Sequence, residues 1–311
     1  MVFSLVASLG VFVSCSEEPA APQIAGTGFG PTVQEPSNAP SVRAFMRDYG
    51  NNMNANLEAE GAEYRLGAVE WILSEGSADN AGIFVFFNDR GNKRLTSHWV
   101  PFDPRRGGSD LITYIVDVTD GNTASGLTTA QTTDAIDRAM RTWNEVECSP
   151  RFIYQELPMP GVDLGVVEFQ NGLGGSPEWF ADITHAGWLP AGVLPSNVIG
   201  VTFTFIWTSS GVPTDIDNNK RADTAFREIY YNDLFNWQLG TAVDVETIAL
   251  HETGHGLSQA HFGSAFITES NNKLHFNPRA LMNAAYSGVN QQVTETDLAG
   301  HCSIWASWPN N

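Results

Sequence analysis

The chain has 311 residues, enough for one large domain with an appendage or for two modest ones. Its formal net charge of −19 argues against binding nucleic acid or an anionic lipid surface, and suits a secreted protein that meets calcium. An apolar share of 42% is ordinary for a globular protein, so the information lies in the segments that depart from it.

Residues 2–13 are apolar, too few to span a bilayer but enough for the core of a signal peptide. Ser14-Cys15 closes the run and resembles a bacterial lipoprotein cleavage site, with Phe12 where that site prefers Leu. The resemblance implies a lipid on Cys15, membrane contact only through that anchor, and a place on the outer membrane of a Gram-negative bacterium. Cys15-Ser16-Glu17-Glu18 is similar to the acidic export tags of some such lipoproteins. An ordinary signal peptide cut elsewhere is the alternative. Residues 16–40 are rich in Pro, Ala, Ser, Gly and Glu and read as a flexible linker.

Residues 41–108 read as a small β-rich accessory region or propeptide. Strands are expected at 63–73, at 82–87 and near 95–100, with a turn at 88–92. The region has no Cys, so an inhibitory role would fall to a carboxylate such as Asp89 or Asp103. From residue 109 to 311 the pattern alternates. A strand at 111–118 precedes a helix near 129–146, where Ile136, Ala139, Met140 and Trp143 recur at helical spacing. Strands follow near 151–155, 162–168, 197–206 and 225–231. A helix begins near Asp244 and a last one near Thr294, where Asp297 completes a capping-box-like start. The fold class expected is α+β, a mixed sheet with helices packed on it. Beyond Cys15 the chain holds only Cys148 and Cys302, and an even pair in an exported protein reads as a disulfide.

His251-Glu252-Thr253-Gly254-His255 places two imidazoles four residues apart, on one face of a helix, where both reach one ion. Neutral imidazole is a good zinc ligand, and a catalytic zinc takes three protein ligands and a water. Glu252 is then the general base for that water. His261 would lie about 15 Å along the axis from His251 if the helix continued, at 1.5 Å per residue. It joins the site only if the helix stops soon after His255 and the chain turns back near Gly256 and Ser258.

The full segment, His251 to His261, resembles the metzincin zinc-protease signature, His-Glu-x-x-His-x-x-Gly-x-x-His followed by a Met-turn. Ser258 replaces the Gly of that signature, which serves a backbone with positive φ; Ser adopts that at a cost of about 1 kcal/mol or more. Downstream, Ala280-Leu281-Met282-Asn283-Ala284-Ala285-Tyr286 is similar to the Ala-Leu-Met-x-Pro-x-Tyr segment of the matrixin branch. The resemblance covers roughly residues 109–305. It implies a metzincin-like catalytic domain, Met282 as an apolar floor beneath the zinc, and Tyr286 with Ala284 as the wall of a substrate pocket. It also implies an endopeptidase acting on extracellular proteins or peptides as a monomer, with the strand at 225–231 offering an edge to an extended substrate. Asp182-Ile183-Thr184-His185-Ala186 is similar to the segment that carries a structural-zinc histidine in matrixins, but the partner His-x-Asp is missing. His185 is therefore read as an ordinary polar residue near a strand.

Two rivals remain open. Glu269 could be the third ligand, as acidic residues are in thermolysin-like peptidases, leaving His261 idle. The chain could also be a zinc-containing surface binding or adhesion protein without turnover, against which the intact Glu252 argues. Separately, Asp215, Asp217, Asn219 and Asp223 set oxygen side chains at alternate positions of a loop, which suits calcium. Lys220 and Phe226 stand where a helix-loop-helix site needs Gly and Glu, so a calcium loop and a solvated acidic turn both stay open.

Overall fold

The computed structural model describes residues 41–74, 82–87, 97–270 and 274–310. Cys15, the linker and Asp89 lie outside the described residues. The first described element is a helix, α1 (Val42–Ala59), which corrects the expectation that 41–108 is β-rich. Asn51, Asn52, Asn54 and Asn56 lower its intrinsic propensity. An apolar stripe overrides them: Val42, Met46, Met53 and Leu57 are buried, and the Ser41 hydroxyl caps the first turn by accepting the Ala44 N–H.

The strands β1 (Tyr64–Leu73), β2 (Gly82–Val85) and β3 (Ser97–His98) follow. Next come β4 (Ile112–Val116), α2 (Thr129–Asn144, with a Thr128/Gln131 capping box) and β5 (Ile153–Gln155). The strand expected at 162–168 is instead the start of a short helix, α3 (Val166–Asn171). Its valines favour a strand locally. The carboxylate of Glu228, 61 and 62 residues away, accepts the Val166 and Val167 N–H groups at 2.7 and 3.0 Å and holds a helical first turn.

The remaining elements are β6 (Ile183–Leu189), β7 (Val198–Ser209), β8 (Val212–Pro213), β9 (Ala222–Asn232), β10 (Trp237–Gln238) and β11 (Val243–Asp244). They continue with α4 (Val245–Gly256), the hairpin strands β12 (Ser264–Ile267) and β13 (Leu274–Asn277), and α5 (Glu295–Trp305). Nine strands form one sheet in the order β2-β1-β7-β9-β6-β4-β5, with β3 beside β9 and β8 beside β7. Strands β5, β4, β6 and β9 run parallel; β7 is antiparallel to β9, and β1 antiparallel to β7.

Two consequences correct the sequence reading. The sheet crosses the expected boundary at residues 108–109, because β1, β2 and β3 all pair into it. The strand expected at 225–231 as a free edge is β9, hydrogen-bonded on both sides and buried at every residue. A near-continuous apolar run of that kind marks a central strand. Helices α2 and α4 pack on one face of the sheet, around Ile136, Trp143, Ile183, Ile229 and Ile248. On the other face α1 and α3 pack around Met46, Leu57, Trp71, Phe203 and Tyr230. No helix among the described residues is long and apolar enough to cross a membrane.

The Cys148 and Cys302 sulfurs are bonded, with Cα atoms 5.6 Å apart across 154 residues of sequence. The bridge ties α5 to the loop after α2, where Trp305 stacks on Phe152 at 4.3 Å. Closing so long a loop restricts the unfolded chain. Replacing both cysteines by serine is expected to lower the unfolding free energy by about 2–4 kcal/mol. Denaturant melts of the two forms measure this, and coincident curves would show that the bridge constrains nothing.

Candidate metal centre

Helix α4 is buried at every position from Val245 to Gly256, so its polar side chains must find partners inside the protein. Asp244 caps it, accepting the Thr247 N–H at 2.9 Å and the Thr247 hydroxyl at 2.6 Å. The His251 and His255 Nε2 atoms are 3.2 Å apart, and each lies 3.2 and 3.1 Å respectively from His261 Nε2. The His251 Nδ1 is 2.8 Å from the Leu281 carbonyl and the His255 Nδ1 2.7 Å from the Gln259 carbonyl. A carbonyl can only accept, so both rings carry their proton on Nδ1 and aim an Nε2 lone pair at the common point. Three mutual nitrogen contacts cannot all be hydrogen bonds under that constraint. A cation at the centre fits them: tetrahedral ligands with metal–nitrogen bonds of about 2.0–2.1 Å sit about 3.4 Å from one another.

His261 reaches this point because the chain reverses. Helix α4 ends at Gly256, the Gln259 N–H returns to the Gly254 carbonyl at 2.8 Å, and Ser258 takes φ +66°. The Ser258 hydroxyl lies 3.2 Å from His98 Nδ1, which anchors the left-handed residue. Two side chains close the end of the helix. Trp99 Nε1 donates to the Gly256 carbonyl at 3.2 Å, and the buried Arg227 guanidinium donates to the same oxygen at 2.8 Å and to the His255 carbonyl. A cation at a helix C-terminus also opposes the negative end of its dipole.

Met282 is fully buried beneath this turn, and a Cβ on Gly254 would overlap its sulfur. Asp297 holds the segment, its carboxylate accepting the Leu281 and Met282 N–H groups at 2.9 and 3.1 Å. The Met282 carbonyl accepts the Phe262 N–H at 2.8 Å, fixing the residue after His261. Tyr286 is buried, its hydroxyl donating to the Ala242 carbonyl at 2.5 Å. Ala284 and Tyr286, the expected pocket wall, meet β1: the Leu73 N–H donates to the Ala284 carbonyl at 3.2 Å and the Tyr286 N–H to the Leu73 carbonyl at 2.7 Å.

Glu252 is fully buried, with Oε2 accepting the Thr202 hydroxyl at 2.7 Å and Oε1 without a partner. Burial pushes its carboxyl up to about 7, against His255 and the Thr202 hydrogen bond, while Glu70 adds to the rise. That proton affinity suits a general base working near neutrality. Burial, aided by the neighbouring imidazoles, pulls His251 and His261 well below the usual histidine range. Burial opposes a charge on His255 too, yet Glu70, with Oε1 3.2 Å from Nδ1, holds that ring above its usual value. Thr202, Glu70 and Asp297 are supports that sequence reasoning missed; only Asp297 carried a signal, as a helix-capping residue.

The other candidates fall elsewhere. Glu269 is exposed in the connection between β12 and β13, and the metal-competent histidine group does not include it. His185 is buried in β6, with Nδ1 2.8 Å from the Tyr231 hydroxyl, and burial pulls it down to about 3. Asp103 is buried and paired with Arg105 at 2.6 Å. Asp215, Asp217 and Asp223 do gather within 4.8 Å. Asp223 already holds Arg105 at 2.9 Å, and Asn219 turns its amide to Asp217 at 2.9 Å.

A second carboxylate group, Asp120, Asp163 and Glu168, has no counterpart in the sequence reading. Asp163 Oδ1 and Glu168 Oε2 are buried without a partner. Burial, then Asp163 and Asp117, push Asp120 up to about 6. Burial, then the surrounding carboxylates led by Asp120, push Glu168 up to about 9. The chain matches no protein-family model. It matches no curated protein either.

Carboxyls whose folded pKa exceeds the unfolded value of about 4 bind their proton more tightly in the folded chain. Stability is therefore full below about pH 4 and falls as pH rises through the folded values near 6 and 9. With a chelator present, the melting temperature is expected to drop between pH 5 and 9. Glu168→Gln, which keeps the shape without the titration, should lessen the drop. Parallel pH profiles for the two chains would remove Glu168 from this account.

Proposed function

We propose that this chain is a zinc endopeptidase of metzincin type, hydrolysing peptide bonds in extracellular proteins or peptides. One observation carries the reading: three imidazole Nε2 atoms converge within 3.2 Å of one another beside a buried carboxylate that burial pushes up to about 7. The reversal at Ser258, Met282 beneath the helix, and the parallel strands flanked by α2 and α4 agree with that resemblance. An exported location and a lipid on Cys15 are part of the proposal, supported by the apolar run at 2–13 and by the bridged cysteines. Calcium at Asp215, Asp217 and Asp223 is a subordinate proposal, with Asp223 already partly neutralised by Arg105.

His251, His255 and His261 would hold the metal. Bound zinc supplies Lewis acidity, acidifying a water and polarising the scissile carbonyl. Glu252 takes the proton of the attacking water at Oε1, the oxygen without a protein partner, while Thr202 fixes Oε2. It then passes that proton to the leaving amine. Leu281 and Gln259 orient two of the rings through Nδ1, a role typical of groups behind metal ligands.

Two expectations test this reading. His261→Ala should purify with far less zinc than the parent, and Glu269→Ala with a full equivalent. The reverse outcome in metal analysis would hand the third position to Glu269 and withdraw the metzincin assignment. Glu252→Gln should keep its zinc and lose about 10²–10⁴ of the parent's hydrolysis of unfolded casein. A loss below tenfold would remove Glu252 from the chemistry and favour a binding protein without turnover.

A further inference from the structure

Asp120, Asp163 and Glu168 come from three places in the chain and meet at one point. Asp120 follows β4, Asp163 lies in the connection from β5 to α3, and Glu168 is in the first turn of α3. A carboxylate oxygen from each lies within 4.8 Å of the other two. None of the three stands in a segment that carries the metzincin resemblance, and the peptidase reading gives them no role. The backbone is fitted closely around them. Gly187 of β6, at φ +113°, lies against Asp120, where a Cβ would come 2.7 Å from the Asp120 Cβ. Gly174, at φ +126°, lies against Asp163, where a Cβ would come 2.3 Å from Oδ2.

The group lacks a countercharge. Glu168 is 1% exposed, yet its Oε2 has no partner. Asp163 Oδ2 accepts the Gly175 N–H at 2.8 Å, and its buried Oδ1 has no partner either. The charged groups acting on Glu168 are Asp120, Asp163, Glu228 and Asp117, all of them acids. Two of these are already satisfied. Glu228 accepts the Val166 and Val167 N–H groups and the Tyr230 hydroxyl, and Asp117 accepts the Leu164 N–H and the Thr119 hydroxyl. Among the described residues, none of the other three forms an ion pair. The group around Asp217 differs, because Arg105 holds Asp223 there. Buried carboxylates persist when they are paired or coordinate a metal.

We propose that Asp120, Asp163 and Glu168 form a calcium site, separate from the histidine centre and from the loop at 215–223. Three oxygen donors without nitrogen or sulfur suit a hard cation. Calcium binds such oxygens at about 2.3–2.6 Å in flexible geometry, so ligands on opposite sides of the ion sit about 5 Å apart, which spans this group. Magnesium sheds its waters reluctantly, and the buried Glu168 leaves little room for them. The ion ties the loop after β4 to the first turn of α3. Helix α3 in turn reaches α1, through the Gln170 amide on Glu60 at 2.8 Å and the Asn171 amide on the Tyr49 hydroxyl at 2.7 Å. The site therefore holds the connection between β5 and β6 in place, whichever reading of the histidine centre stands.

Calcium itself is the probe, offered at neutral pH to the full chain after divalent ions have been removed and zinc restored. Equilibrium dialysis should show calcium bound with a Kd at or below about 1 mM, the range of extracellular calcium modules. Glu168→Gln and Asp163→Asn, which keep the shape and remove the charge, should each lose one equivalent of bound calcium. Asp217→Asn should retain that equivalent. In the unaltered chain, calcium should slow amide hydrogen exchange at residues 163–169 at least tenfold. A chain that binds no calcium at about ten times that concentration overturns the proposal. So does binding that survives both Glu168→Gln and Asp163→Asn, or exchange at 163–169 that calcium leaves unchanged. Magnesium bound as tightly as calcium overturns the choice of ion. If neither variant folds, exchange on the unaltered chain decides alone.

Discussion

Three imidazole Nε2 atoms within 3.2 Å of one another, two on the buried helix α4 and one from the turn after it, are an unfavourable arrangement without a cation, and the surrounding structure is organised to hold it. Each ring nitrogen that could escape is engaged from behind where a carbonyl is in reach, Leu281 for His251 and Gln259 for His255. The Leu281 carbonyl stays in place because Asp297 grips two consecutive N–H groups of the same turn. Asp297 in turn sits in the first turn of α5, and α5 is tied by Cys302 to the end of α2. The path from the disulfide to a ring nitrogen runs through α5, Asp297 and Leu281. Each contact is a charged or backbone hydrogen bond, or a covalent link, in a buried setting where geometry is expensive to change.

The sheet supplies the other half of the support through central β9. Arg227 faces α4 and closes its C-terminal carbonyls. Glu228, the next residue, faces the opposite layer and starts α3. Two adjacent residues of opposite charge therefore serve two helices on opposite faces, as the alternation of a strand requires. Both are buried, and each is stable there because its partners are backbone groups at a helix terminus.

Local spacing made much of the candidate site legible. His251, Glu252 and His255 follow from one helical turn, and Ser258 stands where the chain must take positive φ. The helix starts at Asp244 and Thr294 were legible because a cap and its first turn are neighbours in sequence. What was illegible depends on residues far apart. Helix α3 looks like a strand until Glu228 arrives from 61 and 62 positions away. Helix α1 is masked by its asparagines, one of which, Asn54, bonds both backbone groups of Leu66 where β1 is bulged. The place of β9 in the middle of the sheet, rather than at its edge, follows from pairing with β7 and β6, which no periodicity encodes. The hairpin β12–β13 left no mark in the sequence reading either.

The short segment around β3 has a bearing on chain length. His98 holds Ser258, Trp99 closes Gly256, and Arg106 binds Asp182 at 2.6 Å beside β6. All three lie upstream of 109, yet His98 and Trp99 brace the end of α4 and Arg106 ties the segment to the start of β6. The smallest unit that keeps this bracing must therefore begin at or before His98, ahead of the boundary that the sequence pattern suggests at 108–109.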